Sequence, residues 1–210
     1  VQQRWKKSQI AKSQNGMSAA LRGRVTLSNG LEMPTLGLGT YLTRGNPCKQ
    51  AVAHALAAGY RLIDSASMYG NEGVVGGAII ESDVPREEIF VVTKLLPEDM
   101  GFESTLQAFD LSLKKSGLDY FDLYLIHWPG GGRQKRLDTW RAMEQIYGSG
   151  KCKAIGTSNF TEQHLAEIMQ DDSFSVKPLV NQVEFHPQCQ WRSLRQYMTT
   201  QGIQGMGYMP

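Results

Sequence analysis

The chain reads as an α/β protein of the TIM (β/α)8 barrel class, incomplete, with about seven strands and six helices behind an N-terminal β-hairpin. Three observations predict this. Short apolar runs alternate six times with segments of helical spacing, which implies parallel strands joined by helical crossovers. No Gly-x-Gly-x-x-Gly turn follows the first run, as an open dinucleotide-binding sheet would have it. Polar residues stand at the carboxyl end of nearly every run instead of clustering at one crevice, and a barrel gathers its site from all its strand ends.

Taken in order, VTLSNGLEMPTLG sets two short runs around Asn29-Gly30, both tolerant of positive φ, which predicts a β-hairpin. Strands are then predicted at LGLGT (36–40), YRLID (60–64), IFVVTK (89–94), FDLYLIH (121–127), KAIGTS (153–158), PLVNQVEF (178–185) and GIQGMGY (202–208). Helices are predicted over 47–58, 71–82, 103–116, 137–149, 161–170 and 191–201. In the third, Leu106, Phe109, Leu111 and Leu113 form the apolar side, with Glu103 at the start and Lys114-Lys115 at the end, where the helix dipole favours each charge. Asn159 with Glu162 reads as a helix N-cap and its reciprocal partner. Gly130-Gly131-Gly132 lacks the Lys-Ser/Thr of a phosphate loop and reads as a flexible rim loop.

An eighth strand and closing helices are not found, so the expected domain is 17–210, a barrel lacking its last strand and helices, with unpaired edges at its first and seventh strands. Residues 1–16, polar with four Lys or Arg, are expected to be a disordered arm.

Composition narrows the function classes. With 22 basic and 20 acidic residues the net charge is +2, which gives no single-signed surface for nucleic acid or an anionic membrane. No apolar run approaches the roughly 18 residues of a membrane span, and the opening segment has no hydrophobic core for a signal peptide. Cys48, Cys152 and Cys189 are odd in number and widely spaced, so neither a disulfide framework nor a metal site is indicated, and a cytoplasmic location is expected. His54, His164 and His186 form no metal-ligand spacing with a carboxylate and read as structural. Oligomeric state is left open.

The ionisable residues fall in a pattern. Asp64 ends the second predicted strand, Lys94 the third and His127 the fourth, and Tyr69 lies in the loop five residues past Asp64. All four should meet on one rim. That set suits acid catalysis of carbonyl reduction, because a phenol with pKa near 10 needs a neighbouring cation to release its proton readily. Lys94 can supply the charge, Asp64 can hold the lysine, and His127 can donate a hydrogen bond to an oxygen becoming an alkoxide. Each residue alone has a bland reading: Asp64–Lys94 as a structural ion pair, His127 as a satisfied rim histidine, Tyr69 as a loop residue.

IDSASMYGNE, VVTK, LYLIHWP, IGTSNF, NQVEFHP and the hairpin followed by GLGTY resemble segments of the aldo-keto reductase family, in the family's order, over residues 25–208. The resemblance implies reduction of an aldehyde or ketone to an alcohol by a reduced nicotinamide, NADPH with NADH as the alternative. It implies Tyr69 as general acid, with Asp64, Lys94 and His127 completing the tetrad. It assigns Ser158, Asn159 and Gln182 to the nicotinamide carboxamide, Tyr208 to stacking on the ring, and Gly39, Thr40 and Tyr41 to the near side of the pocket, with Tyr41 and Trp128 walling the carbonyl substrate. Of the alternating pair Gln182 and Glu184, Gln182 is the preferred ligand contact. Met209-Pro210 stands where a Ser-Pro is usual, and the lysine-bearing segment that holds the cofactor's phosphates in the family is not found. A second class of function therefore stands beside the reductase: a catalytically impaired fragment or non-catalytic interaction module, as in the potassium-channel β subunits that resemble this family.

Overall fold

A computed structural model describes residues 19–210, so the arm expected at 1–16 lies outside the described residues. After one helical turn come β1 (Arg24–Thr26) and β2 (Glu32–Pro34), paired antiparallel. The main sheet is β3 (Leu38–Gly39), β4 (Leu62–Asp64), β5 (Phe90–Leu95), β6 (Leu123–Ile126), β7 (Ile155–Ser158), β8 (Val180–Glu184) and β9 (Gln204–Tyr208), in sequence order and parallel throughout. Helices α1 (Gly45–Ala57), α2 (Glu72–Ile80), α3 (Phe102–Ser116), α4 (Gly132–Gly148), α5 (Glu162–Met169) and α6 (Arg192–Thr200) form the crossovers. The expected seven strands, six helices and hairpin are all present in a nearly closed barrel.

Two apolar layers follow from the strand period of two. Ile63, Val91, Tyr124, Ile126 and Ile155 face outward and pack under the helices with Phe109, Trp140 and Leu165. Leu62, Phe90, Val92, Leu123, Leu125, Ala154 and Val180 face inward, where Leu27 and Met33 of the hairpin join them. Asn29 Nδ2 also donates to Lys153 O at 3.0 Å, so the hairpin is tied across the amino ends of the strands. At that same end Asp122 accepts from Val91 N and pairs with both Arg86 and Lys153, whose cationic groups each lie 3.9 Å from the Tyr120 ring centroid. Among the described residues no helix is long and apolar enough to cross a membrane.

The local readings need four corrections. The hairpin connection is longer than two residues: Leu27 N bonds Leu31 O, and only Gly30 of the Asn-Gly pair has positive φ. Asn29 instead accepts from Leu31 N through its side chain. Leu111 is 48% exposed and lies off the packed side of α3, which is Thr105, Phe109, Ser112 and Ser116, because two residues on a helix are about 200° apart. Helix α4 begins at Gly132, five residues before the predicted 137. Gly131 and Gly132 have φ of 76° and 78°, and the glycine run leads directly into the helix. The N-cap of α5 is Thr161, which makes a capping box with His164, while Asn159 takes a left-handed φ of 61° at the strand end.

The end of α3 lies close against α2. A Cβ on Gly76 of α2 would lie 1.9 Å from Ser116 O, so the two helices approach backbone to backbone. Gly77, one residue on, has nothing within 4 Å of its Cβ position. Gly76→Ala should therefore destabilise the fold by about 2 kcal/mol or more, whereas Gly77→Ala should leave it unchanged or raise stability by up to about 1 kcal/mol. Urea unfolding of the two variants tests this, and equal midpoints would refute the close approach.

Candidate active site

The alternation that fills the barrel with apolar side chains also aims its polar ones. Asp64 has the parity of Leu62, Lys94 that of Phe90 and Val92, His127 that of Leu123 and Leu125, Gln182 that of Val180, and Tyr208 that of Met206. Each belongs to the inner face at the carboxyl end of its strand, the end opposite the hairpin.

Lys94 Nζ, on a side chain 1% exposed, donates to Asp64 Oδ1, to Ser65 O at 3.0 Å and to Tyr69 Oη at 3.3 Å. Asp64 Oδ2 accepts from Gln182 Nε2, which also lies 3.2 Å from Met206 Sδ. The Tyr69 ring packs edge-on against His127, centroids 5.8 Å apart, and tilted against Tyr41 at 5.0 Å. The four residues expected to meet on the rim do meet there.

Burial sets the electrostatics. The Tyr69 phenol is held above its ordinary 10.0 because loss of solvent outweighs the Lys94 charge that pulls it down, and the Asp64 carboxylate pushes it the same way as burial. Lys94 does act on the phenol in the expected direction, but burial, which the sequence reading did not weigh, outweighs it. His127 is lowered to about 4, first by burial and then by Lys94, so the imidazole is neutral near pH 7. His127 Nδ1 is buried with no partner among the described residues.

On the β7 side, Ser158 Oγ donates to Gln182 O at 2.9 Å and accepts from Asn159 Nδ2 at 3.1 Å. Asn159 Nδ2 also donates to His127 O at 2.9 Å, and Tyr208 Oη donates to Asn159 Oδ1 at 2.7 Å. Ser158, Asn159, Gln182 and Tyr208 are thus one connected group adjoining the Asp64–Lys94 pair. The strained φ of Asn159 sits inside it. Glu184 stands apart, half-buried, with His186 Nε2 at 3.0 Å. Thr40 is buried and bonds Asp64 O through both its N–H and its hydroxyl, whereas neighbouring Gly39 is exposed with nothing within 4 Å of a Cβ position. Tyr41 and Trp128 are about half exposed at the opening.

Sequence reasoning missed Asn71. Its amide nitrogen donates to Thr40 O at 2.9 Å and Thr43 O at 3.0 Å, and its oxygen accepts from Ser65 Oγ at 2.7 Å. It fastens the loop after β4 to the loop after β3. It stands at the N-cap position of α2, yet its side chain makes no cap hydrogen bond.

The model of the aldo/keto reductase family matches residues 35–210. The glyoxal reductase of Bacillus subtilis (strain 168) is 49% identical over 195 residues, covering 92% of this chain and 69% of the relative. The crystal structure of an aldo/keto reductase from Brucella melitensis superposes with TM-score 0.86 at 44% identity, over 90% of this chain and 72% of that one. That of a Bombyx mori aldo-keto reductase in complex with NADP does so with TM-score 0.81 at 34% identity, over 90% and 66%. The chain therefore spans about two thirds of the length of these relatives. The barrel, its polar rim and these likenesses together make the chain a member of the aldo/keto reductase family of oxidoreductases.

Proposed function

We propose that this chain carries the active site of an NADPH-dependent reductase that converts small aldehydes or ketones to alcohols, with Tyr69 as general acid and Lys94, Asp64 and His127 as its partners. The observation that carries this reading is the Tyr69 hydroxyl 3.3 Å from a buried Lys94 ammonium. A buried cation beside a phenol at the mouth of a barrel is a proton-donating arrangement. The relatives named a glyoxal reductase and an NADP complex support the substrate class and the cofactor.

The residues on the β7 side fit a nicotinamide. Its carboxamide needs donors and acceptors, which Ser158, Asn159 and Gln182 offer, and the Tyr208 ring can stack on its face. The open space beside Gly39 and the unpaired His127 Nδ1 are further features that a bound cofactor and substrate would use. When bound, the reduced cofactor supplies the hydride.

Tyr69 Oη hydrogen-bonds the carbonyl oxygen and gives it a proton as that oxygen gains negative charge. The phenolate left behind is stabilised by Lys94, and water restores its proton. Because burial holds the phenol above 10.0, the donor stays protonated across the neutral range. Lys94 acts mainly on the anionic state that follows, which makes its contribution larger in the transition state than at rest. Neutral His127 donates one N–H to the same oxygen and adds no competing positive charge. Tyr41 and Trp128 present aromatic faces to the organic part of the substrate. Cys48 and Cys152, buried as free thiols, suit a reducing cytoplasm.

Tyr69→Phe should lower aldehyde reduction by at least about a hundredfold while leaving NADPH affinity unchanged, measured by loss of cofactor absorbance and by fluorescence titration. Turnover at the parent rate would sink the assignment.

His127 gives a separate prediction through its charge. Its folded pKa of about 4 lies below the ordinary 6.5, so between these values the unfolded chain binds a proton that the folded chain refuses. Stability should be complete above pH 6.5 and fall as the pH drops towards 4, with a loss approaching about 3 kcal/mol. Urea melts across that range should show a slope that His127→Asn removes; an unchanged slope would mean that other groups carry it.

A further inference from the structure

Tyr69 sits in a short turn, Ser67–Tyr69, and two side chains flanking it reach the same strand. Ser67 Oγ donates to Lys94 O at 2.9 Å. Glu72, the first residue of α2 and 4% exposed, accepts from Thr93 Oγ1 at 2.6 Å through Oε1. One tether lies two residues before Tyr69 and the other three residues after it. They end on adjacent residues of β5, one of which is Lys94 itself.

Glu72 has the odder environment. Its Oε2 is buried with no partner among the described residues, and a buried carboxylate lacking part of its hydrogen bonding is unfavourable. An exposed acid would complement the helix dipole of α2 equally well. What the buried position gains is reach: from the outward side of β5 it grips Thr93, while the next residue carries the ammonium into the barrel.

We propose that Ser67 and Glu72, the latter through Thr93, are positioning residues that clamp the Tyr69 turn to β5 and so set the separation of Tyr69 Oη from Lys94 Nζ. The clamp rests on the function proposed above, since its purpose is to keep the acid beside its cation. Asn71 fixes the same segment to the β3 side, so the turn is held between two strands. A displacement of about 1 Å in such a pair can cost on the order of a hundredfold in rate. Lys94 pulls the phenol's pKa down, so loosening the clamp raises it further.

The test uses the whole chain in two variants. Ser67→Ala removes one tether from a half-buried site. Glu72→Met combined with Thr93→Val removes both partners of the other, leaving neither buried and unpaired, so that the fold is preserved. The readouts are kcat, KM for a generic aromatic aldehyde, NADPH affinity, and titration of the Tyr69 phenol by phenolate absorbance against Tyr69→Phe. The clamp predicts kcat lowered about tenfold with KM and NADPH affinity unchanged, a Tyr69 titration moved to higher pH, and both restored by Ser67→Thr and by Thr93→Ser in their respective tethers. A purely structural role predicts that the double variant, once folded, regains parent kcat and an unshifted Tyr69; that result overturns the proposal. If the double variant does not fold, an unshifted phenol in Ser67→Ala overturns it. If the parent chain itself reduces no aldehyde, the proposed activity fails, and the phenol titration alone decides the clamp.

Discussion

The ammonium of Lys94 is the constraint around which the open end of the barrel is arranged. A charge on a side chain 1% exposed would cost several kcal/mol without partners. Its three N–H groups have three acceptors, one each on Asp64, Ser65 and Tyr69. Each acceptor imposes a condition on the chain. Strand β4 must end in register so that Asp64 lies opposite Val92, the loop after it must turn its Ser65 carbonyl inward, and the 67–69 turn must fold back over the rim. Asp64 in turn uses its second oxygen to accept from Gln182 of β8, on the far side of the sheet order. Removing one member of such a buried set typically costs about 3–5 kcal/mol.

The two ends of the barrel meet opposite demands. At the amino ends of the strands the interior is apolar, and the hairpin contributes Leu27 and Met33 to it. The Asp122–Arg86–Lys153 group stands beside that plug, each cation also packed on Tyr120. At the carboxyl ends the inward side chains become polar within one strand residue or two, as in Val92 to Lys94 or Val180 to Gln182. An apolar floor lowers the local polarity beneath the rim, which strengthens the interactions above it and raises the cost of any group left unpaired.

Much of this was legible because it depends on short-range pattern. Apolar runs ending in Asp64, Lys94 and His127 place those residues by strand period, Tyr69 follows from its five-residue distance to Asp64, and the resemblance to aldo-keto reductases supplied the β7-side group. The misreadings arise where a local signal met a stronger partner elsewhere. Asn159 looked like a cap, but its amide is committed to Ser158, His127 and Tyr208, and Thr161 takes the cap. Leu111 reads as part of the apolar side of α3, but it stands two residues from buried Phe109 and so about 200° round the helix. Ser67, Asn71 and Glu72 gave no signal, since their bonds span 21 to 31 residues and no periodicity records such pairings.

The Tyr69 phenol shows why burial and charge must be weighed together. Sequence reasoning named the cation and inferred an easily released proton. In the fold, burial dominates and the phenol is held above 10.0 despite Lys94. These influences act on different moments of a proton transfer. In the proposed reaction, burial disfavours the phenolate in the resting chain and so would keep the acid loaded, while the ammonium would lower the energy of that phenolate once a substrate oxygen has taken the proton. A distant cation would leave the acid loaded but reluctant, and an exposed phenol would lose the strength of its pairing to water. The proposed mechanism therefore requires Tyr69 Oη and Lys94 Nζ to keep a short, fixed separation inside a poorly solvated rim, which would make the anchoring of the Tyr69 turn as consequential as the identity of the acid.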